Sequence, residues 1–114
     1  MTDGVILAID TATAQGGVAL WQGDRLLIQS QLSVPREHSK RLFVEIESAL
    51  VTTGTDRSNL TAVAVTIGPG SFTGLRIGLS AAKGLCRALQ IPLVTISTLE
   101  AMAPRVLWAP HPVV

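Results

Sequence analysis

The alternation of apolar and polar stretches predicts that the chain begins with three β-strands. Residues 5–9 form a continuous apolar, β-rich run, which is typical of a central strand buried on both faces of a sheet. Residues 17–21 and 25–32 follow as two further strand-like segments, with the turn residues Gly23 and Asp24 between them. The three segments together favour an antiparallel meander.

Beyond Pro35 the apolar spacing indicates helices that alternate with strands. Between about residues 36 and 51 apolar side chains recur at helical intervals, and Gly54 is placed to end this first helix. Residues 61–67 predict a strand, followed by a second helix that Ser71 or Thr73 caps and that runs to about residue 89. A last strand is predicted over residues 93–96, and a third helix from residue 97 or 98 through residue 102.

The order of these elements indicates a mixed α/β sheet. Three strands are followed by helix, strand, helix, strand and helix, and strand–helix–strand crossovers join parallel strands with a right-handed connection. This βββαβαβα order matches the ribonuclease-H-like lobe of the actin-like ATPase fold. We assign residues 1–103 to such an N-terminal lobe, and residues 104–114 to a tail or a linker toward a C-terminal lobe that this sequence lacks.

The composition holds more apolar residues than so short a chain needs for its core. Of the 114 residues 47% are hydrophobic and 15% are charged, and the mean hydropathy is +0.44. The longest apolar run has about five residues, far short of the roughly 18 to 20 that a membrane-spanning helix requires. This hydropathy excludes a disordered chain, and a net charge of +1 provides no overall field that would attract nucleic acid or anionic lipid.

The single cysteine and the start of the sequence bear on cellular location. Cys86 excludes an internal disulfide bond, and its place in an apolar helical stripe predicts a small buried residue. The chain enters its first predicted strand without a basic and then apolar leader-like segment. We therefore expect a cytoplasmic protein that does not associate with membrane.

The densest local signal is the glycine-rich segment of residues 68–74, which joins a predicted strand to a helix N-terminus. Free backbone N–H groups and the helix dipole at such a place favour a phosphate or a carboxylate. The glycines stand at relative positions one, three and seven, which departs from the dinucleotide-binding spacing, and Lys83 precedes Gly84 in the reverse order of a P-loop. Two interpretations stay open: a phosphate site at Gly68 and Gly70, or a sharp turn that requires glycine.

Asp10, Thr11 and Thr13 stand where the first strand ends and a polar loop begins. A carboxylate there is suited to a hydrated Mg²⁺, and the hydroxyls to a phosphate, as in a kinase or ATPase of this architecture. Alternatively, Asp10 only satisfies nearby backbone N–H groups. Because no second carboxylate follows at a fixed spacing, the structural interpretation is favoured, and no catalytic residue is assigned.

The second predicted helix carries small residues at every fourth position. Gly74, Gly78 and Ala82 form a ridge that costs about 1 kcal/mol of helix propensity per glycine unless another backbone packs closely against it. A polar stripe runs along another side of the same helix at residues 76, 80, 83, 87 and 90. The ridge therefore predicts a close helix contact.

Taken together, these motifs resemble the N-terminal half of the TsaB (YeaZ) family, bacterial proteins needed for threonylcarbamoyl-adenosine biosynthesis in tRNA. The matching segments are residues 7–13, 38–39, 41–42, 68–78, 82–84 and 97–101, of which 68–78 is the most specific. Members of the family are about twice as long as this chain.

The resemblance implies a scaffold role rather than a reaction. TsaB proteins pair with each other or with their paralogue TsaD, the transferase subunit, through the first and second helices of this lobe. The resemblance also implies TsaE-like proteins as further partners and an indirect association with tRNA. On this basis we expect the interface to include eight residues, namely His38, Leu42, Val44, Glu45, Gly74, Arg76, Gly78 and Leu79.

Two departures from related active proteins argue against catalysis. TsaD-like paralogues carry a His-x-x-x-His metal motif where this chain has Thr98 and Met102, so no metal site is expected. Active actin-like phosphotransferases have glycine where Ala12 stands, and its methyl group crowds a phosphate. We expect no cofactor of the chain itself, with ATP or ADP at a partner interface left open. The alternative is the phosphate-binding lobe of an actin-like kinase or ATPase.

Overall fold

The computed structural model describes residues 4–11, 16–31, 39–70 and 72–97. Its strands are β1 (Val5–Asp10), β2 (Gly17–Gln22), β3 (Arg25–Gln31), β4 (Leu60–Thr66) and β5 (Leu93–Ile96), and its α-helices are α1 (Ser39–Thr53) and α2 (Phe72–Leu89). A short 3₁₀-helix, Arg57–Asn59, precedes β4. The predicted third helix and the proposed boundary at residue 103 lie outside the described residues.

The strands form one mixed sheet in the order β3-β2-β1-β4-β5. The pairs β1–β2 and β2–β3 are antiparallel, whereas β1–β4 and β4–β5 are parallel. The parallel pairs arise because α1 and α2 return the chain to the end of the sheet at which β1 begins, so that β4 and β5 run in the same direction as β1. The predicted mixed sheet, with β1 at its centre, is confirmed.

The hydrophobic core lies between one face of the sheet and the two helices. Alternate residues of β1 point into it and are almost completely buried, as are their cross-strand neighbours on β2 and β4; the set comprises Val5, Leu7, Ile9, Val18, Leu20, Val63 and Val65. Leu42 and Ile46 of α1 and Ala82 of α2 complete the same cluster. Both helices therefore cover the same face of the sheet.

The opposite face of the sheet is open among the described residues. Ile6 of β1 is 39% exposed, and it lies beside Trp21 of β2, which in turn neighbours Leu26, 43% exposed, on β3. The prediction that β1 is buried on both faces is therefore wrong for this part of the chain, because α1 and α2 pack on one side only. Part of the apolar surplus in the composition lies on this open face.

Both helices end where local sequence predicts. Gly54, with a φ of 68°, follows α1; its N–H donates to the carbonyl of Val51 at 3.1 Å, and the N–H of Thr55 donates to that of Leu50 at 2.9 Å. This pair of bonds is a Schellman motif, which favours glycine at the left-handed position. At the end of α2 the same position is held by Gln90, with a φ of 57°, and the N–H of Ile91 bonds the carbonyl of Cys86 at 3.0 Å.

Candidate functional site

Asp10 and the glycine-rich segment meet at one end of the sheet, where β1 and β4 have their carboxyl ends. Because the two strands are parallel neighbours, Asp10 at the end of β1 lies beside Thr66 at the end of β4. The Thr66 hydroxyl donates a hydrogen bond of 2.8 Å to Oδ1 of Asp10. Thr66 is buried, so this bond satisfies a hydroxyl that would otherwise be desolvated without compensation. At least one oxygen of the predicted ligand-binding carboxylate is thus engaged within the chain.

The segment after β4 turns sharply into α2. Gly68 has a φ of 121°, a conformation that side-chain-bearing residues rarely adopt, and the Gly68–Pro69 peptide bond is cis. A Cβ atom at Gly68 would lie 3.2 Å from Cδ1 of Leu75 in the first turns of α2. The turn alone therefore accounts for glycine at position 68. Gly70 is exposed beside it, and its predicted contact with a phosphate stays a prediction.

Thr11, directly after β1, joins the sheet to α2. Its hydroxyl donates to the backbone carbonyl of Gly74 at 2.5 Å. A Cβ atom at Gly78 would lie 2.2 Å from Oγ1 of Thr11 and 3.5 Å from Cγ2 of Val65. The absence of a side chain at Gly78 thus makes room for Thr11. These contacts give Thr11 a structural role, and its predicted contact with a phosphate stays a prediction.

The same contacts correct part of the predicted helix interface. Gly78 lies against Thr11 and Val65, Ala82 is buried in the core, and the carbonyl of Gly74 accepts the Thr11 hydrogen bond, so this ridge of small residues requires no partner to explain it. Leu42 is fully buried in the core, and Leu79 is partly buried against it. Three of the expected interface residues, Leu42, Gly74 and Gly78, therefore do not lie on the surface. The four-residue spacing of the small residues correctly predicted that another segment packs closely against α2. That segment is Thr11, directly after β1, and not a helix.

Other members of the predicted interface do reach the surface. Val44 on α1 is 59% exposed, and Arg76 on α2 is exposed. Glu45 is half-buried, and its carboxylate accepts a hydrogen bond from the hydroxyl of Ser30 on β3. Glu45 thereby ties α1 to the edge of the sheet, which is a structural role in this chain.

A groove lies between α1 and α2, and Arg76 is one of its lining residues. Its volume is about 390 Å³, and it is lined by Phe43, Thr73, Arg76, Ile77, Ser80 and Ala81. Phe43 is 44% exposed at the groove, and Val51, further along α1, is 72% exposed. Neither residue was predicted as part of the site. The available signal was that both are apolar although Leu42, Ile46, Ala49 and Leu50 already supply the core-facing stripe of α1.

Several predicted residues and sites remain outside this description. His38, Thr13 and Ala12 lie outside the described residues, as do residues 98–102. Within residues 4–11, 16–31, 39–70 and 72–97, no group of three or more His, Cys, Asp or Glu side chains is placed to hold a metal ion. In the same part of the chain no helix is long and apolar enough to cross a membrane.

Cys86 is buried in the core, as its place in an apolar stripe of the second helix predicted. Burial raises the pKa of its thiol, which also contacts the carbonyl of Pro92 at 3.4 Å. The thiol is therefore protonated at neutral pH.

Comparison with known proteins agrees with this fold. A family model described as TsaD, tRNA N6-adenosine threonylcarbamoyltransferase, matches residues 31–114. The chain is 44% identical over 98 residues to the tRNA threonylcarbamoyladenosine biosynthesis protein TsaB of Escherichia coli, a match that covers 86% of this chain and 42% of that protein. The TsaB protein of Bacillus subtilis is 37% identical, with 86% of this chain and 43% of that protein covered.

Solved structures give the same result. YeaZ from Pseudomonas aeruginosa superposes with a TM-score of 0.78 at 35% sequence identity, covering 90% of this chain and 47% of that one. A second structure, described as an uncharacterized protein with similarity to peptidase YEAZ from Pseudomonas aeruginosa, has a TM-score of 0.82, also at 35% identity. The predicted actin-like lobe and the resemblance to TsaB are confirmed. The chain spans less than half the length of the curated TsaB relatives, 42% and 43% of the two compared.

Proposed function

The chain belongs to the TsaD family and is similar to TsaB proteins, and from this premise we propose that it serves threonylcarbamoylation of the tRNA adenosine beside the anticodon. In this proposal the chain is a non-catalytic scaffold subunit that pairs with a TsaD-like transferase subunit. The observation that carries the proposal is the exposed apolar surface of α1 beside its groove with α2.

This pairing surface consists of Phe43, Val44 and Val51 on α1 together with the groove-lining residues Arg76 and Ile77 on α2. Phe43 and Val44 expose about half of their side chains in the isolated chain, and Val51 exposes more. Burying apolar surface yields roughly 25 cal/mol per Å², so covering this strip favours association. A concave groove next to protruding apolar residues suits the packing of a partner helix.

The strand ends support a non-catalytic role. The Thr11 hydroxyl bonds the backbone of α2 and the Thr66 hydroxyl bonds Asp10, so both hydroxyls are used to hold the fold. A phosphotransferase site needs groups that turn toward the nucleotide and its metal ion. We assign no catalytic residue and no cofactor to the chain, and ATP or ADP held at the partner interface stays compatible with this role.

The same surface suits a second copy of the chain, so a homodimer through α1 and α2 is the competing assembly. TsaE-like proteins are the further partners, tRNA is reached through the complex, and the location is the cytoplasm. The similarity to TsaB proteins, which are named for tRNA threonylcarbamoyladenosine biosynthesis, supports these assignments.

Binding of a TsaD-type protein tests the proposal. Phe43→Asp places a charge on the pairing surface, whereas Leu26→Asp makes the same change on the open face of the sheet at nearly equal exposure, 43% against 44%. By isothermal titration calorimetry we expect the unmodified chain and the Leu26→Asp variant to bind the TsaD-type protein alike. Phe43→Asp is expected to weaken binding by tenfold or more. Equal binding by all three proteins would exclude this surface.

The alternative function is a phosphate-binding lobe of an actin-like kinase or ATPase. It rests on Asp10 and the turn at Gly68, which both lie at the carboxyl ends of the neighbouring strands β1 and β4. Titration with Mg-ATP separates the two functions. Micromolar binding that Asp10→Asn abolishes would favour the alternative. The scaffold role predicts no measurable heat from the chain alone.

A further inference from the structure

The sheet has two edge strands, β3 (Arg25–Gln31) and β5 (Leu93–Ile96). An edge strand pairs on one side only, so the backbone N–H and carbonyl groups on its outer side can accept another strand. β3 pairs with β2 on its inner side, and nothing in residues 4–11, 16–31, 39–70 and 72–97 pairs with its outer side. The outer side of β3 can therefore hydrogen-bond with an added strand.

The sequence of β3 lacks the features that usually prevent such pairing. Proteins protect a sheet edge with charged residues, proline, bulges or a very short strand. Residues 26–31 of β3 contain neither a charged residue nor proline, and Arg25 is the first residue of the strand. The one irregularity leaves Leu27 as an extra residue, whereas residues 28–31 pair regularly with β2. β5 is protected by its length of four residues, so β3 is the edge that stays open to pairing.

The two faces of β3 restrict how another strand can align with it. Ile28 and Ser30 lie opposite core residues of β2 and therefore face the core side of the sheet. Gln29 and Gln31, both exposed, lie on the open face. Directly opposite residues of an antiparallel pair share a face, so two copies keep their cores on one side only when core-facing residues oppose core-facing residues.

We propose that β3 pairs antiparallel with β3 of a second copy of the chain, with the Gln29 residues of the two copies opposite each other. This register places Ile28 of one copy opposite Ser30 of the other, so core-facing residues meet. It uses residues 27–31 of each copy, which include the whole regular part of the strand. The two five-stranded sheets then form one continuous sheet.

The charge and the polar groups of β3 suit a second copy as the occupant. The two-fold axis lies at Gln29, so the Arg25 side chains of the two copies stand at opposite ends of the pair, about 26 Å apart. The only charge of the strand therefore meets no like charge. The two Gln29 amides lie side by side on the open face, where each can both donate and accept a hydrogen bond.

The pairing is expected to be weak. Five residues from each strand form a contact well below the roughly 1,200 to 2,000 Å² of a stable interface. Both strands already exist in the separate chains, so pairing requires little ordering of the backbone. We expect a dimer with a Kd of about 10 to 500 µM. The inference is independent of the proposed function, because Gln29 and the groove at Phe43 lie on opposite sides of the sheet.

Sedimentation equilibrium of the 114-residue chain between about 10 µM and 1 mM measures this Kd. Gln29→Lys places two ammonium groups opposite each other and should raise the Kd by about tenfold or more. The matched control Val94→Lys adds the same charge to the open face at the other edge strand, where Val94 is 46% exposed. We expect the control to change the Kd by less than threefold, and both variants to keep the circular dichroism of the parent chain.

Disulfide formation tests the register. Opposite residues of an antiparallel pair have Cα atoms about 4.5 to 5.5 Å apart, which is within the range of a disulfide bond. Gln29→Cys should therefore give a disulfide-linked dimer under mild oxidation. Gln31→Cys should not, because the two residues at position 31 would lie about 13 Å apart along the pair. Cys86 is buried and does not compete.

Four results would each overturn the inference. The first is a parent chain that stays monomeric up to about 1 mM, well above the expected Kd. The second is equal disulfide formation by Gln29→Cys and Gln31→Cys, which would indicate random collision. The third is a dimer that Val94→Lys dissociates and Gln29→Lys does not, which would mean that two open faces stack. The fourth is a dimer that only Phe43→Asp dissociates, which would place the contact at α1 and α2.

Discussion

Thr11 occupies the space that a side chain at Gly78 would fill. The distance from a Cβ atom at position 78 to Oγ1 of Thr11 would be 2.2 Å, and the Thr11 hydroxyl bonds the carbonyl of Gly74 one helical turn earlier. The sheet and α2 are thus joined by a side chain from the end of β1. The two residues joined by this hydrogen bond, Thr11 and Gly74, are 63 positions apart in the sequence.

Gly78→Ala is predicted to destabilise the protein by about 1 to 3 kcal/mol, because the new methyl group overpacks against Thr11 and outweighs a helix-propensity gain of about 1 kcal/mol. Urea denaturation measures this change. In a Thr11→Ala background Oγ1 is absent, so Gly78→Ala should no longer destabilise the protein and should approach the helix-propensity gain of about 1 kcal/mol. An equal cost in both backgrounds would contradict the contact.

Gly84→Ala is the matched substitution on the outer side of the same helix. Nothing lies within 4 Å of the added methyl group, so we expect a gain in the free energy of unfolding of up to about 1 kcal/mol. Thermal and urea denaturation both report it. A loss of stability here would mean that α2 packs differently from the arrangement described.

Gly54→Ala is predicted to cost about 1 to 2 kcal/mol, since Gly54 has a left-handed φ of 68° and the αL conformation penalises a Cβ atom. The space around position 54 is open, so sterically nothing else opposes alanine. Gly54→Asn should recover part of the loss because asparagine tolerates this conformation. If alanine and asparagine were equally well tolerated, the Schellman end of α1 would be wrong.

Asp56 provides a pH-dependent contribution to stability. Hydrogen bonds from the backbone N–H and hydroxyl of Ser58 lower the pKa of Asp56 below its ordinary value of 3.8. A lowered pKa means that the contribution is present above pH 3.8 and is lost as pH falls through the folded-state pKa. The stability difference between the parent chain and Asp56→Ala should therefore shrink in acid, and NMR titration should place the pKa below 3.8. Ser58→Ala should move the pKa back upward.

Local features of the fold were predictable from the sequence, and contacts between distant segments were not. Gly54 and the apolar period of α1 predicted the helix and its end, because both depend on residues within a few positions. The 3₁₀-helix at Arg57–Asn59 was missed, although Asp56 and Ser58 carry its local signal.

Two features could not be predicted from the sequence: which faces of the sheet the helices cover, and which segment packs against the glycines of α2. An apolar run such as β1 has the same pattern whether one or both faces are covered, so the exposure of Ile6 follows only from where α1 and α2 pack. The spacing of Gly74 and Gly78 predicts that another segment packs closely against α2, but it does not identify that segment. Thr11 fills that role because β1 and α2 are brought together by the sheet order.

Photo-crosslinking tests whether α1 and α2 form the contact with a TsaD-type partner. A photoreactive amino acid is placed at Phe43 in the groove or, as the control, at Leu26 on the open face of the sheet, and the TsaD-type protein is added before irradiation. We expect a crosslinked heterodimer from position 43 and little or none from position 26. Crosslinking from position 26 with none from position 43 would contradict it.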